Sequence, residues 1–173
     1  MRTARFALPA IIIIGFMALM LSFNTVQVVK AQPQFGSNWQ TSYFANPDLA
    51  GAPAATVTQP QVNFNFAAAS PGFGLPADGF SIRFRTTLAL NAGTYTFTAT
   101  ADDGARVIVS GTTIIDFFGE GDGQSQQAVP VEIPATGNVE IIVEYVDRTG
   151  NAFVQFFFEP TAVEPTPTEG PSP

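Results

Sequence analysis

Thr94-Tyr95-Thr96-Phe97-Thr98-Ala99-Thr100 alternates hydroxyl-bearing and apolar side chains without a break. Successive side chains of a β-strand point to opposite faces, so this pattern places one face in a core and the other in water. Phe80-Ser81-Ile82-Arg83-Phe84-Arg85 repeats the pattern with charge on the wet face, and Val62-Asn63-Phe64-Asn65-Phe66 repeats it with amides. Val107-Ile108-Val109, residues 139–146 and residues 153–158 are more continuously apolar. They read as interior strands, or as strands covered on both faces. Turn signals separate the runs: Leu90-Asn91-Ala92-Gly93, Ser110-Gly111-Thr112, Ala135-Thr136-Gly137-Asn138 and Asp147-Arg148-Thr149-Gly150-Asn151. Ser110-Gly111-Thr112 is short enough to close a hairpin. No stretch between Gln32 and Pro160 sustains a helical period, and no solenoid or propeller repeat is present. The expected class is all-β, a sandwich or barrel of antiparallel sheets.

The composition agrees. The chain has 173 residues, 46% of them hydrophobic and only 12% charged, with 17 Phe. That is one domain with a substantial core and a surface of uncharged polar residues. Cysteine and histidine are both absent. Their absence removes disulfides, thiolate or imidazole zinc sites, and the Ser-His-Asp and Cys-His catalytic arrangements. The formal net charge is −7. Arg2, Arg5 and Lys30 lie near the N-terminus, so Arg83, Arg85, Arg106 and Arg148 alone face the 14 carboxylates that follow. Such a surface repels nucleic acid and anionic lipid and suits neutral ligands, cations or basic partners.

The two ends differ from the middle. Arg2 and Arg5 precede an apolar run from Phe6 to Phe23, and Val29-Lys30-Ala31 offers small residues at the positions a signal peptidase reads. Residues 1–31 are therefore expected to be a secretory signal, cleaved before Gln32. The rival is a retained anchor, because the run approaches the length needed to span a bilayer. Residues 32–38 form a short N-terminal segment before the domain at 39–160. Residues 161–173 end in Glu164-Pro165-Thr166-Pro167-Thr168-Glu169-Gly170-Pro171-Ser172-Pro173. Proline at near-alternate positions predicts an extended, solvated tail or linker.

Several motifs in the middle segment resemble one family in the same order. Trp39 is followed by Tyr43-Phe44-Ala45-Asn46-Pro47-Asp48-Leu49-Ala50-Gly51, similar to an aromatic strand and an Asn-x-Asp-Leu-x-Gly turn. Asp78-Gly79-Phe80-Ser81-Ile82-Arg83-Phe84 resembles a D-x-F-S-V-R strand, and Ala92-Gly93-Thr94-Tyr95-Thr96-Phe97 an A-G-x-Y-x-F strand. Asp102-Asp103-Gly104-Ala105-Arg106-Val107-Ile108-Val109 resembles a D-D-G-x-R-L-x-V hairpin, with Ile115-Asp116 and Val143-Glu144-Tyr145 where V-I-D and V-E-Y segments fall. This is the pattern of the PA14 domain, and it runs from Trp39 to Glu159. The resemblance implies a two-sheet antiparallel β-sandwich (PA14-like) found in adhesins, glycosidases, proteases and toxins. It also implies, in lectin-like members, carbohydrate binding through Ca2+. Phe117-Phe118 and Phe157 or Phe158 stand where the family often has Trp, which keeps apolar bulk but loses an indole donor.

The adjacent carboxylates Asp102 and Asp103 are the candidate chemistry. Two such charges about 4 Å apart repel by roughly 4 kcal/mol at an effective dielectric near 20. A divalent cation reverses that sign, and hard oxygen donors without His or Cys fit calcium better than zinc. The plainer alternative is that Asp-Asp-Gly is ordinary turn chemistry, with the carboxylates accepting from nearby amides. The resemblance implies Ca2+ held by this pair with the loop before the last strand, here Asp147 to Asn151. Its usual Asn position falls at Asp147, and Asn151 is the neighbouring alternative. Arg106, next to the pair, is expected to lock that turn by an ion pair. Phe117, Phe118, Glu120 and Asp122, in the Gly-rich stretch up to Gln124, are candidate ligand-binding residues on a loop lip, against the alternative of a plain solvated connector.

The expected function is a secreted or surface-displayed binding module, taking a glycan or glycoconjugate with calcium. The alternative is a ligand-free structural or adhesion spacer. An enzyme is not expected, because Asp102 and Asp103 sit in one turn and cannot flank a scissile glycosidic bond.

Overall fold

The computed structural model describes residues 32–119 and 123–161. The described residues form ten strands: β1 (Trp39–Phe44), β2 (Ala55–Gln59), β3 (Asn63–Ala67), β4 (Phe80–Leu90), β5 (Gly93–Asp102), β6 (Gly104–Val109), β7 (Thr112–Asp116), β8 (Ser125–Ile133), β9 (Gly137–Asp147) and β10 (Ala152–Pro160). Among the described residues no helix is long and apolar enough to cross a membrane. Residues 1–31, expected to be the signal, lie outside the described residues, as does the Pro/Thr tail beyond Thr161.

The strands form two antiparallel sheets, one ordered β2-β1-β4-β9-β6-β7 and the other β3-β10-β5-β8. This is the expected all-β sandwich. The three runs the sequence marked as most apolar, in β6, β9 and β10, are interior strands, and so are the alternating β4 and β5. β9 lies between β4 and β6, and β10 between β3 and β5. Only β1–β2 and β6–β7 pair as sequence neighbours within a sheet. Every other connection between consecutive strands carries the chain from one sheet to the other. Asp102-Asp103-Gly104 is one of these, from β5 into β6, and so is not the hairpin turn of the motif reading.

The alternating faces meet as expected. Tyr95, Phe97, Ala99 and Ala101 of β5 point inward and are buried. Trp39, Phe80, Phe84 and Tyr145 face them from the six-stranded sheet. Rings interlock across the gap: Trp39 meets Phe156 edge-on at 5.7 Å, and Phe64 stacks on Phe84 at 5.6 Å. Within the smaller sheet Phe97 stacks on Phe158 at 5.5 Å. Each buried Phe contributes about 2–3 kcal/mol by area alone, which explains how the domain dispenses with disulfides.

The short segment before β1 is part of this sheet system. Gln34 exchanges two backbone hydrogen bonds with Phe158, at 2.7 and 2.8 Å, where β3 no longer covers β10. The Trp39 indole donates to the Phe35 carbonyl at 3.0 Å. Just after β10, the Thr161 amide donates to the Thr94 carbonyl at 2.8 Å. Entry and exit therefore lie at the Gly93 end of β5. Asp102 stands at the far end of that strand, about 30 Å away at the usual rise per residue.

Candidate functional site

Four acidic residues gather at the pole away from the termini. Asp102 ends β5, Asp103 forms the arch to β6, Asp147 ends β9, and Asp78 lies just before β4. The register sets Phe80 opposite Asp147, and this pairing brings the Asp78 turn beside the 147–151 loop. The Gly150 amide donates to Asp78 Oδ1 at 2.8 Å. The peptide bond between Asp102 and Asp103 is cis.

Asp103 is fully buried and organises the surrounding backbone. Its Oδ1 accepts from the Gly123 amide at 3.1 Å. Its Oδ2 accepts from the amides of Arg148 at 2.6 Å and Thr149 at 3.3 Å. Here the turn reading is correct as far as it goes, because this carboxylate ties two loops to the arch.

Asp147 behaves differently. It is 0% exposed, and neither carboxylate oxygen has a hydrogen-bond partner among the described residues. Burial pushes its pKa from an ordinary 3.8 up to about 7, with the charges of Asp103, Asp78 and Asp102 pushing the same way; the Gly79 backbone lies on the lowering side but does not reach hydrogen-bond geometry with either oxygen. Buried polar groups are nearly always satisfied, so an orphaned carboxylate calls for either a proton or a cation. Below it, the Tyr145 hydroxyl donates to the Asp102 carbonyl at 2.7 Å. That phenol is pushed up by burial first, then by the charges of Asp147 and Asp103, so it stays protonated.

Asp102 faces an open depression of about 460 Å3, lined also by Asn65, Ala67, Gln124, Asn151 and Phe153. The lining holds amides, one carboxylate and one aromatic edge. Asn151 therefore joins Asp102 at the mouth, while Asp103 and Asp147 lie buried. Among the described residues no three carboxylates converge closely enough to hold a metal as they stand.

The remaining candidates fall elsewhere. Phe117 is 1% exposed and belongs to the core, so it has no surface to offer a ligand. Phe118 is half-buried beneath Arg106, whose guanidinium carbon lies 5.1 Å from the ring centre. Glu120 and Asp122 lie outside the described residues. Arg106 does not lock the acidic arch. It points to the outer face of its sheet and pairs with Asp116 at 3.1 Å and Glu144 at 3.2 Å. Arg83, read as a surface charge facing water, joins the same row, 2.8 Å from Glu144. Arg148 sends its guanidinium to the Phe118 carbonyl at 2.7 Å. Sequence reasoning missed Asp78 and Tyr145 as members of the acidic pole. The Asp78-Gly79 turn sat inside a quoted motif, but only strand pairing shows what it faces.

A sandwich of two antiparallel sheets with a buried carboxylate pole stands beside a matching family profile. The PA14 domain profile covers residues 36–164. The chain belongs to the PA14 domain family. No curated protein matches it. Among solved structures, an anti-sigma factor domain-containing protein matches with a TM-score of 0.66 at 20% identity, covering 80% of this chain and 51% of that one. An anti-sigma factor domain-containing protein from Clostridium clariflavum gives 0.65 at 24% identity, covering 74% and 44%. A PA14 sugar-binding domain from an RTX adhesin gives 0.58 at 18% identity, covering 72% and 91%. The chain thus spans about half the length of the first two. At these identities the likeness is one of fold, and the PA14 assignment rests on the family profile.

Proposed function

We propose that this PA14 domain is an extracellular binding module that takes a neutral glycan at the acidic pole, with calcium bound beneath it. The observation that carries this reading is Asp147. Its two buried oxygens have no hydrogen-bond partner among the described residues, the charges of Asp103, Asp78 and Asp102 bear on them, and carboxylate oxygens are the hard donors that calcium takes. Asp147, Asp103 and Asp102 would hold the ion only by drawing closer together than they stand, with Asn151 at the mouth. A calcium ion there supplies open coordination positions for vicinal hydroxyls. The chain's own contribution is the amide-lined depression, and the acidic surface disfavours anionic ligands. The sugar-binding PA14 domain of similar fold supports the ligand class. The export signal expected in residues 1–31 supports the compartment. Binding without catalysis follows from a pole whose carboxylates are clustered, not opposed across a cleft.

One observation favours a second reading, a ligand-free spacer. Asp103 is satisfied by three backbone amides, and a protonated Asp147 removes the repulsion without a metal. A neutral-glycan array probed in millimolar calcium and again with chelator separates the two. Signals that vanish with chelator support the module. Blank arrays under both conditions support the spacer.

A further inference from the structure

We propose that the outward face of the four-stranded sheet is an extended glycan track, along which a neutral oligosaccharide runs from the acidic depression over Phe153 and Phe157 of β10. The inference rests on the carbohydrate reading above and adds the class of ligand, an extended chain in place of a single terminal sugar. Strand register sets the geometry. Residues paired across antiparallel strands point to the same face. Val154, Phe156 and Phe158 fill the core, so Phe153, Gln155, Phe157 and Glu159 point outward.

Asn65, Phe153 and Asp102 form the first row across the sheet, and all three line the depression. The next row is Asn63, Gln155, Thr100 and Gln126. Phe157, Thr98 and Ala128 follow it. Phe35 extends this last row, its ring centre 6.2 Å from that of Phe157. Thr98 and Thr100 are buried between longer neighbours and make a floor. The depression is therefore one end of this face. Along β10, Phe153 and Phe157 are separated by about 13 Å at the usual rise per residue, more than one sugar ring spans.

The composition of the face selects the occupant. Phe35, Phe153 and Phe157 are half-buried and stand outside the core cluster. Single exposed apolar residues are ordinary, but a group rimmed by polar side chains is what ligand grooves present. No Lys or Arg lies in β3, β5, β8 or β10, which disfavours nucleic acid and acidic partners. The outward face of the other sheet differs, since Arg83, Arg106, Glu144 and Asp116 form ion pairs across it. Amide side chains both donate and accept, as sugar hydroxyls do, and phenyl groups stack on the C–H face of a pyranose. A protein partner would call for an apolar centre, whereas the middle of this face is the row from Asn63 to Gln126.

The test takes the neutral glycan with the strongest array signal and titrates its series from monosaccharide to hexasaccharide in calcium. The proteins are wild type, Phe157→Ala and Gln155→Ala. Wild type should bind the hexasaccharide about tenfold more tightly than the monosaccharide, and each variant should cut that gain to about twofold. Both variants should melt within about 4 °C of wild type, because neither side chain belongs to the core. Wild-type affinity that does not rise with chain length overturns the inference and leaves the proposed function standing. A gain retained in both variants overturns it too. So does a concentration-dependent dimer that Phe157→Ala abolishes, which would make the face a contact between copies of the chain. A blank array for wild type removes both readings.

Discussion

Asp103 accepts the amides of the loop that Asp147 begins, while Asp147 accepts none among the described residues. Two buried carboxylates at one pole therefore have opposite roles. The first holds the backbone together. The second is available to a proton or an ion, and its pKa, raised to about 7, follows from that difference.

The pH dependence follows by linkage. A carboxyl whose folded pKa exceeds its unfolded value stabilises the fold fully below the unfolded pKa, and that stabilisation is lost as pH rises through the folded one. For Asp147 the window runs from 3.8 to about 7. In chelator, wild type should melt at a higher temperature at pH 5 than at pH 8. Asp147→Asn should flatten that difference and melt about a few degrees higher than wild type at pH 8. Thermal unfolding of both proteins at both pH values checks this; an identical pH response in the two would refute it.

Asp103→Ala strips the acceptor from three amides at once, those of Gly123, Arg148 and Thr149. Leaving buried donors unmatched should cost about 3 kcal/mol even in chelator. Urea unfolding reads this as a lower midpoint with an unchanged slope. A midpoint equal to wild type would mean that Asp103 serves only a metal.

Gly104→Ala tests the arch from its other side. A Cβ there would stand 2.8 Å from the Phe118 carbonyl oxygen and 2.9 Å from that of Phe117, and backbone atoms cannot rotate away. The expected loss is about 2 kcal/mol. Gly119→Ala is the control, since no atom lies within 4 Å of its added carbon. Equal midpoints in the two variants would contradict the close approach.

The strands were legible because alternation is local. Thr94 to Thr100 and Phe80 to Arg85 declare their buried faces in their own order. The arches were not. Asp102-Asp103-Gly104 has the same turn chemistry whether it closes a hairpin or crosses between sheets, and only pairing decides. The same limit explains Arg106. Its neighbours in sequence are acidic, but the pleat points it outward, where cross-strand register brings Glu144 and Asp116. Phe117 and Phe118 looked equivalent in sequence. The chain after β7 turns one into the core and leaves the other under a guanidinium. Asp102, Asp103 and Asp147 do share a pole, as their family positions suggested. Asp78 was invisible as a member because it joins through the Phe80–Asp147 register.

Calorimetric titration of calcium into the chelator-stripped domain at pH 7.5, beside Asp147→Asn, tests the central claim most directly. Wild type should bind one ion with a Kd on the order of 10⁻⁴ M, typical of extracellular modules, and the variant at least about tenfold more weakly. Equal heats from the two proteins, or none from wild type, would contradict it.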